Sequence, residues 1–345
     1  MNADAAFSPT YAIARQRFRA ATAHLSHGAL DVVDGLTIDW AYHGDPDAED
    51  LVVFTSGLHG VEGFPGSAVQ LALLLGSPTV STLFVHALNP WGMANFRRVN
   101  ESNVDLNRNF LPPGTPYQGI DEGYRRLSPL LNPSGPPRRW EAFWPRVGLE
   151  LARYGLPALR NAIARGQYEE PRGLFYGGAE LQRGPTVFLP FVEEHLGWRR
   201  RVVHVDLHSG LGKFGDRTLI LEGKAPPAQR RRAQLAFGPG VRAWDPGDTT
   251  TYEIIGGVCS EVQRRLPQVR YDALTCEFGT VSNLEIIAAL RDENRVWFEA
   301  GGDRTHPAVR RLVHAYHRPE PAWRSAVLGH ARTLFDAAAA MLRSD

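Results

Sequence analysis

Cysteine is scarce in this chain of 345 residues: only Cys259 and Cys276 occur. Two thiols cannot build a disulfide scaffold or a four-cysteine metal site. A single bridge between them and two ordinary buried thiols both remain open. Lysine occurs only as Lys213 and Lys224, so arginine carries nearly all the positive charge. Neither sign is in excess, since 38 Lys+Arg stand against 37 Asp+Glu for a formal net charge of +1. That balance argues against a polyanion binder, whose affinity comes from surplus basic residues near phosphates, and no nucleic-acid partner is expected. No uninterrupted apolar run approaches the roughly 18 residues that a membrane span needs. The opening MNADAAFSPTYAIARQRFRA lacks the apolar core of a signal peptide. A cytoplasmic protein without a membrane partner is the expectation. Core material, by contrast, is ample: 43% hydrophobic and 10% aromatic residues exclude a disordered chain.

The chain alternates strand and helix signals in its first third. A helix is predicted from Tyr11 to Ala29, anchored by Ile13, Phe18 and Leu25 and stopped near Gly28. Strands are predicted at Leu36 to Trp40, Leu51 to Thr55 and Thr82 to Leu88. The run LVVFTSG, apolar and β-branched ahead of a glycine, reads as a buried strand, and SAVQLALLL (Ser67 to Leu75) as the buried helix behind it. From Pro112 to Arg201 turn-rich LPPGTP and NPSGPP separate helical stretches near Trp140 to Arg165 and Leu181 to Leu196. Strand character returns at Arg201 to Leu207, Thr218 to Leu221 and Tyr271 to Phe278, and a last helix runs from about Ser325 to Leu342. The expectation is one α/β domain over residues 1–345. Its mixed, mostly parallel central sheet is flanked by helices, with a helical insertion at about 112–200.

Four segments carry chemistry. In His59-Gly60-Val61-Glu62, after the strand LVVFTSG, imidazole and carboxylate can converge on one ion from a turn, and open α/β sheets place ligands at strand carboxyl ends. Asp206-Leu207-His208-Ser209-Gly210 also ends a strand, so His208 would supply a third ligand at the same edge. His204, within that strand, reads as a core histidine, and His86 as a weaker ligand candidate. In the third segment, Arg97-Arg98-Val99-Asn100 leads to Val104-Asp105-Leu106-Asn107-Arg108-Asn109-Phe110. Asn and Arg here are costly to bury without a partner, and a substrate carboxylate is one. Arg97 is expected to pair locally in a solvated loop, whereas Arg98 and Arg108 are read as functional. Fourth, Glu277 in Thr275-Cys276-Glu277-Phe278-Gly279 ends an apolar strand and is either ion-paired or catalytic. Ahead of it, Tyr252 lies on a loop bearing Gly256-Gly257.

Taken together these segments resemble the zinc carboxypeptidase family of the M14 type, in the branch labelled DUF2817. Its H-x-x-E and D-x-H-S ligands fall on His59, Glu62 and His208, implying one Zn2+ per chain. Its R-x-N-x-x-G-V-D-L-N-R-N-F stretch is matched from Arg98 to Phe110, with Asn103 in place of the glycine. The resemblance implies that Arg98 polarises the scissile carbonyl and that Asn107 with Arg108 binds a terminal carboxylate. It further implies that Asp105 orients His59, that Glu277 is the catalytic carboxylate and that Tyr252 is the mobile-loop tyrosine. Cys259 falls at the base of the specificity pocket, where a small neutral residue sets no demand for a basic side chain.

The implied activity is hydrolysis of an amide or peptide bond beside a free carboxylate. Zinc-bound water is then the nucleophile and Glu277 the general base. The substrate is a small peptide or an acyl-amino acid. An N-acyl amino acid amidohydrolase of the aspartoacylase or succinylglutamate desuccinylase kind is the alternative, and a catalytically inactive metal or peptide binder a further one. The Phe175–Gly178 segment, FYGG, is a candidate pocket wall.

Overall fold

Residues 3–76, 78–138, 141–221, 225–243 and 256–344 are described by a computed structural model. Their strands are β1 (Ser26–Val33), β2 (Leu36–His43), β3 (Asp50–Ser56), β4 (Thr82–His86), β5 (Arg201–Gly210), β6 (Arg217–Leu221), β7 (Arg242–Ala243) and β8 (Arg270–Gly279). All join one sheet in the order β1-β2-β4-β3-β5-β8-β6-β7. The centre is parallel, β4 with β3, β3 with β5 and β5 with β8, and antiparallel strands flank it. A mixed, mostly parallel sheet flanked by helices is what the sequence predicts. Among the described residues no helix is long and apolar enough to cross a membrane.

Strand β3 is an uninterrupted apolar run because both its faces are covered, and successive side chains point to opposite sides. Val52 and Phe54 face the helices Gly63–Leu75 and Pro321–Arg343 through Ala68, Leu334 and Phe335. Leu51 and Val53 face Phe188 and Val262, from the helices Arg183–Leu196 and Val258–Arg265. Strand β5 obeys the same alternation with a difference that matters below. Val203, Val205 and Leu207 enter the first cluster. Its other face therefore carries His204, Asp206 and His208 in a row, all buried. Cys259 and Cys276 lie in the two different clusters, on opposite faces of the sheet, so the conceivable bridge is not formed.

The first predicted helix is too long. It spans Tyr11–Thr22, and Ser26–Val33 is the edge strand β1. The deciding signal is Asp34-Gly35, two residues of positive φ (50° and 73°) that close a hairpin between Val33 and Leu36. In the middle block, helices Glu122–Leu131 and Phe143–Ala164 precede Arg183–Leu196. Helix Phe143–Ala164 is broken at Gly155 (φ 74°, ψ 160°), just before Pro157. Trp140, the expected start of that helix, lies outside the described residues.

Candidate functional site

The site forms at the carboxyl ends of β3, β5 and β8. After β3 the chain passes through His59 into a short turn, Gly60–Glu62, and then the helix Gly63–Leu75. Backbone bonds from Gly60 N to Arg98 O (3.1 Å) and from Val61 N to Arg97 O (2.9 Å) clamp this turn to the arginine segment. Gly60 is obligatory there, since a Cβ would lie 2.1 Å from the carbonyl carbon of Gly92. On the neighbouring strands His208 and Glu277 stand in register, as do Thr55 and Asp206.

His59, Glu62 and His208 are all buried and offer ligand atoms within 4.8 Å of one another. Nδ1 of His59 lies 3.1 Å from Glu62 Oε1, and Nδ1 of His208 lies 3.0 Å from Oε2. Each ring has its other nitrogen on an aspartate: His59 Nε2 is 3.1 Å from Asp105 Oδ1, and His208 Nε2 is 2.6 Å from Asp206 Oδ2. Arg98 Nη2 also lies 2.9 Å from His59 Nε2. Asp105, kept ionised in part by Arg98 Nε, favours a proton on Nε2, whereas Arg98 Nη2 can only donate to that nitrogen. Each Nδ1 faces a Glu62 oxygen, which calls for a positive charge between them: a second proton on the ring, as the raised pKa of His208 allows, or a bound metal ion. His59 Nδ1 makes no hydrogen bond.

The charges agree with that reading. Four carboxyl groups, Glu62, Asp105, Asp206 and Glu277, face two guanidinium groups, Arg98 and Arg108, surroundings that favour further positive charge. Burial opposes a charge on His208, but Asp206 and Glu62 outweigh it and hold its pKa well above the ordinary value. Burial likewise opposes ionisation of Glu62, and the charges of His59 and Arg98 overcome it and pull its pKa down. Two imidazoles and a carboxylate, each imidazole backed by a carboxylate, are a donor set that fits zinc.

Glu277 is set differently. Burial, then the neighbouring charge of Glu62, raises its pKa, while its Oε2 accepts a bond from Leu211 N at 3.2 Å. With Glu62, Arg98, Arg108 and Tyr316 it forms the polar floor of an open cleft. Arg98 lies between these groups, donating to Glu62 Oε1 at 2.6 Å and to Asp105 Oδ2 at 3.3 Å. Arg108 is buried and donates to the carbonyl of Asn107 at 2.7 Å. Phe175 borders the cleft, and its ring lies 5.7 Å from the Arg98 guanidinium. The carbonyl of Tyr176 accepts from Asp105 N at 2.7 Å, so FYGG supports the floor as well as walling it.

A family model described as "Protein of unknown function (DUF2817)" matches residues 7–330. The chain belongs to this family. No curated protein matches the sequence. Among solved structures, bovine thrombin-activatable fibrinolysis inhibitor in complex with tick carboxypeptidase inhibitor is similar in fold. Its TM-score is 0.51 at 12% identity, over 94% of this chain and 98% of that one. Murein-tripeptide amidase MpaA from Escherichia coli O157 gives a TM-score of 0.40 at 16% identity over 84% and 90% of the two chains. Carboxypeptidase A from Helicoverpa armigera gives 0.44 at 14% over 93% and 73%. The fold is that of the M14 zinc carboxypeptidase-like proteins.

Several expected positions fall elsewhere. His86 is no ligand candidate: it stacks on Phe18 with ring centroids 4.9 Å apart, its Nε2 is on Ser67, and burial lowers its pKa to about 4. Arg97 is not in a solvated loop. It is buried, donates to Glu293 Oε1 at 2.7 Å and lies over the Trp297 ring. Cys259 is 2% exposed inside the apolar cluster with Val258 and Val262 and does not border the cleft, because the helix Val258–Arg265 turns it toward the sheet. Asn107 accepts from Val258 N at 3.2 Å instead of bordering the cleft. Tyr252 lies outside the described residues. Asn103, which replaces the family's glycine, sits at φ 60°, a left-handed conformation that glycine favours and asparagine tolerates.

Two residues escaped the sequence reading. Asp206 was visible in the D-x-H-S segment, and its i, i+2 spacing from His208 on a strand was the usable signal. Its Oδ1 accepts from Thr55 Oγ1 at 2.6 Å, and Thr55 lies 2.7 Å from His204 Nε2. His204 Nδ1 in turn bonds Tyr271 Oη. Tyr316, whose hydroxyl is 3.4 Å from Arg98 Nη1, comes from the end of helix Pro307–Tyr316 and has no sequence signal at all.

Proposed function

We propose that this protein is a zinc-dependent hydrolase that cleaves an amide bond beside a free carboxylate. His59, Glu62 and His208 would hold the metal, with Asp105 and Asp206 fixing the two rings. The observation that carries this reading is the convergence of His59 Nδ1, His208 Nδ1 and the Glu62 carboxylate at the floor of a cleft that Glu277 also lines. When bound, zinc supplies a Lewis acid that activates water and polarises a carbonyl. Glu277, its carboxyl biased toward a higher pKa, accepts the proton of the attacking water and passes it to the leaving amine. Arg98, at the cleft floor, supplies a guanidinium to the oxyanion that develops. Arg108 provides positive charge for the substrate carboxylate, and the backbone of Asn107 braces it. Residues 1–345 act as one domain in this reading, with 112–200 as an insertion that shapes the cleft. Tyr252 and Cys259 carry no weight in it.

The test is Glu277→Gln, assayed on N-acyl amino acids and dipeptides with metal content measured on the same preparation. Glutamine keeps the shape but accepts no proton, so kcat should fall by about 10²–10⁴ with zinc retained. Near-normal turnover with zinc in place would remove Glu277 from the mechanism. Loss of zinc in His59→Ala and His208→Ala tests the ligands separately.

A further inference from the structure

The cleft has a polar floor and, above it, walls with almost no polar side chain. They are built from three helices: Glu122–Leu131, Phe143–Ala164 and Asn283–Glu299. Leu127, Leu131, Val147, Leu159, Ile287 and Leu290 are representative of the side chains they present. Among the described residues, the polar ones that border the cleft are those of the floor, joined by Ser209 there and by Asn283 at the exposed start of its helix. Helix backbones bond internally except at their ends. Apart from the helix ends and the break at Gly155, the described walls therefore offer few donors or acceptors along their length.

This asymmetry discriminates between substrate types. A peptide continuing from the scissile bond up the cleft brings an N–H and a C=O with every residue. Each would be left unpaired against the walls and would carry the full desolvation penalty of a buried polar group. A hydrocarbon chain brings none. The apolar surface also continues outward: Leu156 borders the cleft while 47% exposed, and the exposed Trp144 packs edge-on against Phe143 of the wall, ring centroids 5.1 Å apart. An apolar mouth of this kind admits an amphiphile tail-first or sideways without stripping polar groups.

Resting on the hydrolase reading above, we infer that the substrate is an N-acyl amino acid with a medium or long aliphatic acyl chain. The chain lies along the helical walls and the free carboxylate faces the arginines of the floor. Hydrolysis adds water across the amide: the new bond joins the water oxygen to the acyl carbon and the C–N bond breaks. The proton passes through Glu277 to the departing amine. The products are a fatty acid and a free amino acid.

The experiment is calorimetric titration of the Glu277→Gln protein, supplied with zinc, with N-acetyl-, N-octanoyl- and N-dodecanoyl-alanine and with tetra-alanine. At about 0.8 kcal/mol per buried methylene, Kd should fall by roughly tenfold for every two methylenes added. Leu156→Gln and Ile287→Gln, both at partly exposed wall positions, should flatten that series while leaving N-acetyl-alanine binding unchanged. Equal affinity for the acetyl and dodecanoyl compounds would overturn the inference. So would tetra-alanine binding as tightly as the dodecanoyl compound. A second copy of the chain seated on the apolar mouth would give the first of those results. Binding is read without turnover, so the two readings fail separately. Dipeptide hydrolysis by the wild type with a flat acyl series refutes only the acyl chain, whereas a steep series without hydrolysis of any compound refutes only the hydrolase.

Discussion

Asp206→Asn probes the link between sheet and metal site. Asp206 is buried on β5 between two partners. Its Oδ2 takes the His208 Nε2 proton at 2.6 Å and its Oδ1 takes the Thr55 hydroxyl proton at 2.6 Å. Thr55 in turn lies against His204 Nε2, whose ring burial keeps neutral, with a pKa lowered to about 4. Asparagine has one acceptor where aspartate has two. If its oxygen stays on His208, its amide faces the Thr55 hydroxyl and that proton loses its acceptor. If it turns the other way, amide nitrogen meets the His208 N–H, donor against donor.

Either outcome weakens the metal site through the charge on His208. A carboxylate behind a ligating imidazole raises its basicity, and losing such a partner costs about 10–100-fold in metal affinity, or about 1.4–2.7 kcal/mol. Leaving one buried hydrogen-bonding group unpaired adds about 1–3 kcal/mol of global destabilisation. Competition with a chromophoric chelator measures the first quantity and denaturant unfolding the second. Asp105→Asn is the matched control on His59, and Thr55→Val removes only the outer bond. Wild-type zinc affinity in a folded Asp206→Asn protein would refute the arrangement.

Arg108→Ala should cost about 2–5 kcal/mol in activity on free-acid substrates, the range for removing one partner of a buried charge pair. The loss on amidated substrates should be much smaller, and equal losses would mark Arg108 as structural. Glu141 tests how the middle block is tied down. Burial favours its neutral form, yet bonds from Arg291, Arg138 N and Arg295 outweigh this and bring its pKa from 4.5 to about 2. Its contribution to stability is therefore complete above pH 4.5 and is lost as pH falls toward about 2, so a difference in Tm between wild type and Glu141→Gln should close across that interval. Gly60→Ala should destabilise the fold and release zinc together, because the added methyl meets the backbone of Gly92 and Met93 at 2.1–2.2 Å. Thermal melting and metal content on one sample would show it.

The ligand segments were legible because their signals are local. An apolar β-branched run that stops at a glycine announces the carboxyl end of a buried strand, and His59, Glu62, His208 and Glu277 all follow or end such runs. Local signals were also misread: Asp34-Gly35 closes a hairpin whose first strand begins at Ser26, yet the helical pattern was carried on to Ala29. Other features have no local signature. Arg97 finds Glu293 from 196 positions away, and His86 is removed from the site because β4 carries its side chain against Phe18 and Ser67. Tyr316 reaches Arg98 only because the C-terminal end of its helix meets the cleft. Residue types and their spacing along one strand are written in the chain, since backbone geometry alone sets them. Which strand lies beside which, and what three separate helices enclose between them, depends on long-range packing of apolar faces that any suitable partner could satisfy, and only the folded structure selects one.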